Sequence, residues 1–342
     1  YRKIILEGFS VKKLMIAILA LVLAAALISC SFDSLEGYKK AAEKTEQMKK
    51  GRTEGEFSLV MDFNTSGMTE EQIKELNYFK NIKGSFNVAY DDELKKGIFR
   101  YYLILGGLGF DLDVFVNGEE IFMKLPVVGK YTRLNEMEKH MDDKQGEGEP
   151  EVISEETQDA IKEKWLGLLK REDVFRGKDM VLTTPDGEVK TTEYTIRLND
   201  EQIKSLAENC IDILSKDKKL EENYGKYIRK NVEFLKDTSL EKLLSDIKEN
   251  IKKYTVESFG YTAYVDIDGY IVNEKVGITL EVDNAEPASV TKVSYELDIK
   301  NWDINKDQEF DFPALTDENT LEMENIEQNM PFKIEALSNI KD

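Results

Sequence analysis

The sequence predicts an α+β fold built on a long antiparallel sheet, and three observations carry that expectation. Apolar residues alternate at period two in blocks between residues 57 and 125 and again between 261 and 299, the pattern of strands with one buried face. The blocks are joined by Asp91-Asp92, Gly106-Gly107, Asn117-Gly118 and Asp268-Gly269, turn pairs suited to antiparallel neighbours. Between the two groups lie stretches whose apolar residues recur at helical spacing.

In chain order, residues 31–50 read as a polar tether and then a helix, with Tyr38, Ala41, Ala42, Thr45 and Met48 on its less charged stripe. From Gly55 the period changes to two, and Phe57, Leu59, Met61 and Phe63 share one strand face. Thr69 lies three residues before Gln72, a capping box that opens a helix reaching about Phe79. Four strands follow at 86–90, 99–105, 110–116 and 121–125, with Phe99, Tyr101, Leu103 and Leu105 in phase on the second of them. Arg100, Asp111 and Asp113 interrupt the apolar run 98–116 at strand period, which rules out a membrane span there. Residues 135–156 are rich in Glu, Asp, Lys and Gly and are expected to form an exposed, mobile loop. Residues 158–170 make an amphipathic helix with Ile161, Trp165, Leu168 and Leu169 on one face. Met180-Val181-Leu182 is expected to pair with Tyr194-Thr195-Ile196-Arg197-Leu198 across Pro185-Asp186-Gly187. Asn199 caps a long helix bearing Ile203, Leu206, Ala207, Cys210, Ile213 and Leu214. Further helical turns run through Tyr227, Val232, Leu235, Leu243, Leu244, Ile247 and Ile251. Strands return at 261–267, 270–272, 276–282 and 290–299. After Pro313 the chain is acidic and lacks apolar pattern until Met330-Pro331-Phe332, so 316–342 is expected to be loosely held.

The N-terminus carries a different signal. Lys12 and Lys13 precede an uncharged apolar run over 14–28, the length of a signal h-region rather than of the ~20 residues a span needs. No basic stop-transfer cluster follows; the next charges are Asp33 and Glu36. The run ends in Leu27-Ile28-Ser29-Cys30, which resembles the lipobox of bacterial lipoproteins. It has the thiol, the small residue before it and the apolar residue three before it that this chemistry requires. The resemblance implies that Cys30 accepts a diacylglyceryl group and that cleavage falls between Ser29 and Cys30. Residues 1–29 are then a signal peptide and 30–36 a lipidated tether on the outer face of a cell membrane. Two acyl chains at ~0.8 kcal/mol per buried CH₂ anchor stably where one is marginal. An uncleaved helix with a chance cysteine is the alternative. Residues 1–10 add nothing a signal peptide requires; they read as upstream read-through, with translation starting near Val11, or as a fragment boundary.

Composition narrows the partners. The chain has 47 Lys and Arg against 67 Asp and Glu, a net charge of −20. Losing residues 1–29 removes Arg2, Lys3, Lys12, Lys13 and Glu7 and deepens that charge, so a nucleic-acid partner is not expected. A hydrophobic share of 41 % with 10 % aromatics belongs to a globular chain, not a disordered one. With Cys30 acylated, Cys210 is the one thiol left and no intrachain disulfide forms.

The order of elements resembles the LolA/LppX-like lipoprotein-localisation fold. The segments that carry the likeness are Tyr194-Thr195-Ile196-Arg197-Leu198-Asn199-Asp200-Glu201-Gln202-Ile203, the hairpin Ala263-Tyr264-Val265-Asp266-Ile267-Asp268-Gly269-Tyr270-Ile271-Val272, and Tyr295-Glu296-Leu297-Asp298-Ile299 leading through Asn301 and Asn305 to Phe312-Pro313. Similar segments occur in lipoproteins of low-GC Gram-positive bacteria. The likeness covers residues 37–315 and rests on order and texture; no single motif is diagnostic. It implies a curved half-barrel sheet covered on its concave face by helices, with space for acyl chains between the two layers. The acidic loop at 136–156 and the helical section at 216–253 are larger than that family needs.

Candidate chemistry is thin. His140, the sole histidine, lies in the charged run Lys139-His140-Met141-Asp142-Asp143, where a solvated side chain is the ordinary reading; Ser-His and Cys-His schemes lose their base. Cys210 falls on an apolar stripe and reads as a buried, inert thiol. Asp266, Asp268 and Gly269 fit a hairpin turn better than a calcium loop. Asp303, Asn305 and Asp307 have one-three-five oxygen spacing, but Gln308 replaces the required glycine and Ala314 the bidentate Glu. The expectation is therefore a non-enzymatic lipoprotein, without metal or cofactor, that binds a lipid, acyl chain or other apolar ligand. Phe57, Leu59, Met61, Phe63, Phe99, Tyr101, Leu103 and Leu105 are the candidate lining. The alternative is a structural or interaction lipoprotein with a packed core and an envelope-protein partner.

Overall fold

The computed structural model describes residues 33–125, 128–133, 153–225, 229, 236–282 and 289–321. The predicted signal peptide, Leu27, Ile28, Ser29, Cys30, His140, Tyr227, Val232, Leu235 and most of the acidic loop lie outside these residues.

One antiparallel sheet of 11 strands, not closed, organises the molecule, in the order β6-β5-β4-β3-β2-β1-β11-β10-β9-β8-β7. After helix α1 (Ser34–Glu46) the chain enters the middle of this sheet with β1 (Lys50–Phe63). It continues through α2 (Glu70–Asn77) and meanders outward through β2 (Asn81–Asp91), β3 (Lys96–Leu105), β4 (Leu108–Asn117), β5 (Glu120–Lys124) and β6 (Tyr131–Arg133). Helix α3 (Glu155–Leu168) leads to the opposite edge, where β7 (Val174–Thr184) and β8 (Gly187–Ile196) form a hairpin. Helices α4 (Asp200–Leu214), α5 (Lys218–Asn223) and α6 (Leu240–Ile251) are inserted before β9 (Tyr254–Asp266), β10 (Ile271–Val282) and β11 (Val290–Trp302), and β11 closes onto β1. No helix among the described residues is long and apolar enough to cross a membrane.

Local sequence explains most boundaries. Thr69 and Gln72 exchange backbone-to-side-chain bonds of 3.3 and 2.9 Å, the expected capping box, and Asn199 with Gln202 makes another at the start of α4. Gly269, at φ 87°, supplies the left-handed residue that the β9–β10 hairpin needs. Five expectations differ. β1 begins at Lys50 rather than Gly55, and β9 begins at Tyr254, seven residues before Tyr261. The segments 270–272 and 276–282 are one strand, because Asn273 bonds Asp298 and the Ile299 carbonyl while Glu274 accepts from Tyr261. In the β7–β8 hairpin, Thr184 opposes Gly187, so Met180 and Leu182 meet Thr191 and Val189; Tyr194 and Ile196 meet Arg176 and Val174 instead. A two-residue turn leaves no other register. Finally, the C-terminal segment is held as far as Leu321. Tyr131 donates to the Asn319 carbonyl (2.8 Å) and accepts from Leu321 (2.8 Å).

Three apolar clusters result. α1, α3 and the strands β7–β10 share the largest, around Tyr38, Leu169, Tyr194, Ile196, Tyr261 and Ala263. Ile211, Tyr224, Leu240 and Leu244 join α4 to α6. Ile98, Phe115 and Phe122 pack under Phe310, Phe312 and Leu315 of the C-terminal segment.

Candidate functional site

Directly opposed residues of antiparallel strands point to the same face, so the register defines two faces. On one lies the row Tyr261–Val276–Leu297–Phe57–Gly84–Leu103–Phe110. Rows on either side of it add Gly55–Phe86–Tyr101–Leu112 and Leu59–Ile82–Leu105–Leu108, and Phe99 opposes Val88 and Val114. The sheet therefore brings Phe57, Leu59, Phe99, Tyr101, Leu103 and Leu105 together across three neighbouring strands. Met61 continues the phase, whereas Phe63 lies past a register shift at Asp62. β1 and β2 meet through reciprocal glycine–aromatic pairs: a Cβ on Gly55 would collide with the Phe86 ring, and one on Gly84 with the Phe57 ring.

The same face carries helices over its β7–β10 portion. The ring of Tyr38 in α1 meets that of Tyr261 edge-on at 5.7 Å, and Trp165 in α3 lies 5.6 Å from Tyr261. Helix packing on the sheet falls on β7, β9 and β10. Over β3, by contrast, Tyr101 is 43 % and Leu103 36 % exposed, and Leu108 on β4 is 63 % exposed.

Beneath α1 lies a partly buried polar cluster that sequence reasoning missed. Trp165 Nε1 donates to the Tyr38 hydroxyl (3.0 Å), and the Tyr261 hydroxyl donates to Glu274 (2.9 Å). Tyr261 has one hydroxyl proton and gives it to Glu274. Burial pushes Tyr38 up to about 12 and raises the Glu274 carboxyl, against the lowering hydrogen bond from Tyr261. The available signal was phase: Glu274 occupies the apolar phase shared by Val276, Ile278 and Leu280.

The opposite face is polar across the middle of the sheet. Lys300, Glu54, Asn87, Arg100, Asp113 and Lys124 form one row across the sheet, and Asp298, Glu56, Ser85, Tyr102 and Asp111 the next. Lys300 pairs with Glu54 (3.2 Å) and Lys275 with Asp298 (2.8 Å). Two open depressions lie here. One of about 420 Å³ surrounds Arg100, Tyr102, Asp111 and Asp113. The other, about 740 Å³, spans β3 to β9 over the facing glycines Gly260 and Gly277.

The remaining candidates have structural partners. Asp303 pairs with Lys306 (3.1 Å) and Asp307 with Lys50 (2.7 Å), while Asn305 accepts from the Lys49 amide (3.1 Å). The Lys50 and Lys49 contacts tie the segment after β11 to the start of β1, and no group of metal-ligating side chains occurs among the described residues. Asp266 accepts from the Tyr270 amide (2.8 Å), as a hairpin acid does. Cys210 is half-buried rather than fully enclosed, and burial pushes its thiol up, which disfavours the nucleophilic thiolate.

No family model matches the chain, and no curated protein matches it. Among solved structures, the crystal structure of a beta-barrel-like protein of the domain of unknown function DUF1849, from Brucella abortus, is similar. It shares 10 % identity with a TM-score of 0.17, over 75 % of this chain and 100 % of that one.

Proposed function

We propose that the chain is an extracytoplasmic lipoprotein, anchored through Cys30 to the outer face of a Gram-positive cell membrane, that binds a lipid or acyl chain. In this reading the helix-bearing face of the sheet is its concave face, and the ligand lies on the part between β1 and β4. The observation that supports it is the exposure of Tyr101 and Leu103 in mid-strand, flanked on both sides by apolar neighbours of the same rows. Contiguous apolar surface of this kind is uncommon unless it meets a partner. The tether fits the reading too. Three residues separate Cys30 from Ser34, four Cα steps with a reach of at most ~14 Å, which would keep the sheet close to the bilayer that supplies such ligands.

Two measurements test the proposal. Cys30→Ala should abolish incorporation of labelled fatty acid and leave the precursor unprocessed; unchanged labelling overturns the anchor. The chain from Ser31 onward should enhance an environment-sensitive fatty-acid probe, with displacement by excess lipid. Leu103→Glu should weaken the probe at least tenfold, or ~1.4 kcal/mol. Because Leu103 is partly exposed, its melting temperature should barely move. A parent chain that binds no probe leaves the structural, protein-partnered reading.

A further inference from the structure

β7 ends the sheet, and no described segment pairs with its outer side. Every residue from Phe175 to Val181 is exposed. An open strand edge offers a row of backbone donors and acceptors to any extended chain, and proteins normally blunt it with bulges, lysines or a covering segment. The two edges of this sheet differ. At one, β6 is only three residues long and Thr320 bridges to Tyr131. At the other, the register against β8 slips between Arg176 and Asp179 around Gly177 and Lys178, and at the far end Thr184 is buried and Asp186 of the turn is tied to Lys306 after β11 (3.2 Å). From Asp179 to Thr184 the ladder is regular. Within that stretch Met180 and Val181, which point to opposite faces, are 38 % and 52 % exposed.

We propose that this stretch of β7 pairs antiparallel with the same stretch of a second copy of the chain, about a two-fold axis at Val181. The inference does not depend on the ligand reading. Self-complementarity singles out both the partner and the register. Centred on Val181, Met180 faces Leu182 of the second copy, Asp179 faces Thr183 and Lys178 faces Thr184, so apolar side chains meet and no like charges oppose. Centred on Met180, Asp179 would face Val181 and Lys178 would face Leu182. Centred on Asp179, the two carboxylates would face each other. Strand addition then continues the sheet across both molecules.

The test uses the purified full chain in detergent. Directly opposed residues of antiparallel strands have Cα atoms about 4.5–5.5 Å apart, inside the window a disulfide spans. On mild oxidation Val181→Cys should give a covalent dimer, whereas Thr183→Cys alone should not. Mixing Thr183→Cys with Asp179→Cys should give the crosslinked pair, and the unmodified chain, which retains Cys210, is the control. Light scattering should show twice the mass of one purified chain, returning to monomer in Val181→Lys with its melting temperature unchanged. A monomeric parent, a dimer that survives Val181→Lys, or crosslinking at Thr183 equal to that at Val181 overturns the proposal.

Discussion

Glu274 is the one acid set among aliphatic residues on the helix-facing side of β10, and its surroundings supply a hydroxyl but no cation. The folded state therefore holds its proton more tightly than the unfolded chain does. Stability from this group is full below the ordinary value of 4.5 and declines as pH rises through the raised folded value. Glu274→Gln keeps an acceptor for Tyr261 and cannot ionise. Its melting temperature should match the parent at about pH 4 and exceed it at about pH 8. Superimposable profiles would mean that the buried carboxyl ionises without penalty. Residue-scale reading of the sequence worked where one side chain determines its own surroundings. Thr69, Asn199 and Gly269 announce a cap or a turn by local chemistry alone. It failed at Glu274, whose partner Tyr261 sits across the β9–β10 ladder and is covered by Tyr38 of α1 and Trp165 of α3, far away in sequence.

Side-chain oxygens cap the starts of α2 to α6, and Asp217 serves two helices. One carboxylate oxygen accepts from the Leu220 amide (2.9 Å) at the first turn of α5; the other accepts from the amide (2.8 Å) and hydroxyl (3.0 Å) of Ser154, the N-cap of α3. Burial would raise Asp217, but hydrogen bonds from Thr157, Leu220 and Ser154 prevail and hold it at about 2. A depressed carboxyl contributes stability above its unfolded value and loses it as pH falls toward the folded one. Asp217→Asn should thus cost ~1–2 kcal/mol in urea titrations at neutral pH, with the deficit shrinking between about pH 4 and pH 2. A deficit independent of pH would mean that the charge is not what joins the two helices. Element positions were largely legible because hydrophobic period survives in a single sequence. The β7–β8 register was not: alternation alone fits several offsets, and only the turn at Pro185-Asp186 selects one.

Taken whole, the sheet is covered in halves, by helices over β7–β10 on one face and by Phe310, Phe312 and Leu315 over Ile98, Phe115 and Phe122 on the other. The meander could be read from sequence; this division could not, since the covering aromatics follow no period and pack on strands some two hundred residues earlier. The candidate lining was legible as a phase, but its exposure depends on where helices of distant sequence settle. The central ladder has a consequence for how the molecule is made. Phe57 opposes Leu297, while most other ladders join strands adjacent in sequence. Contacts of such separation form late, after the local hairpins. A chain emerging N-terminus first can complete β1–β6 while the open side of β1 still awaits its partner. That side is the adhesive surface of the nascent chain. Any factor that keeps the unfinished protein from aggregating has to shield β1 until Trp302 has emerged.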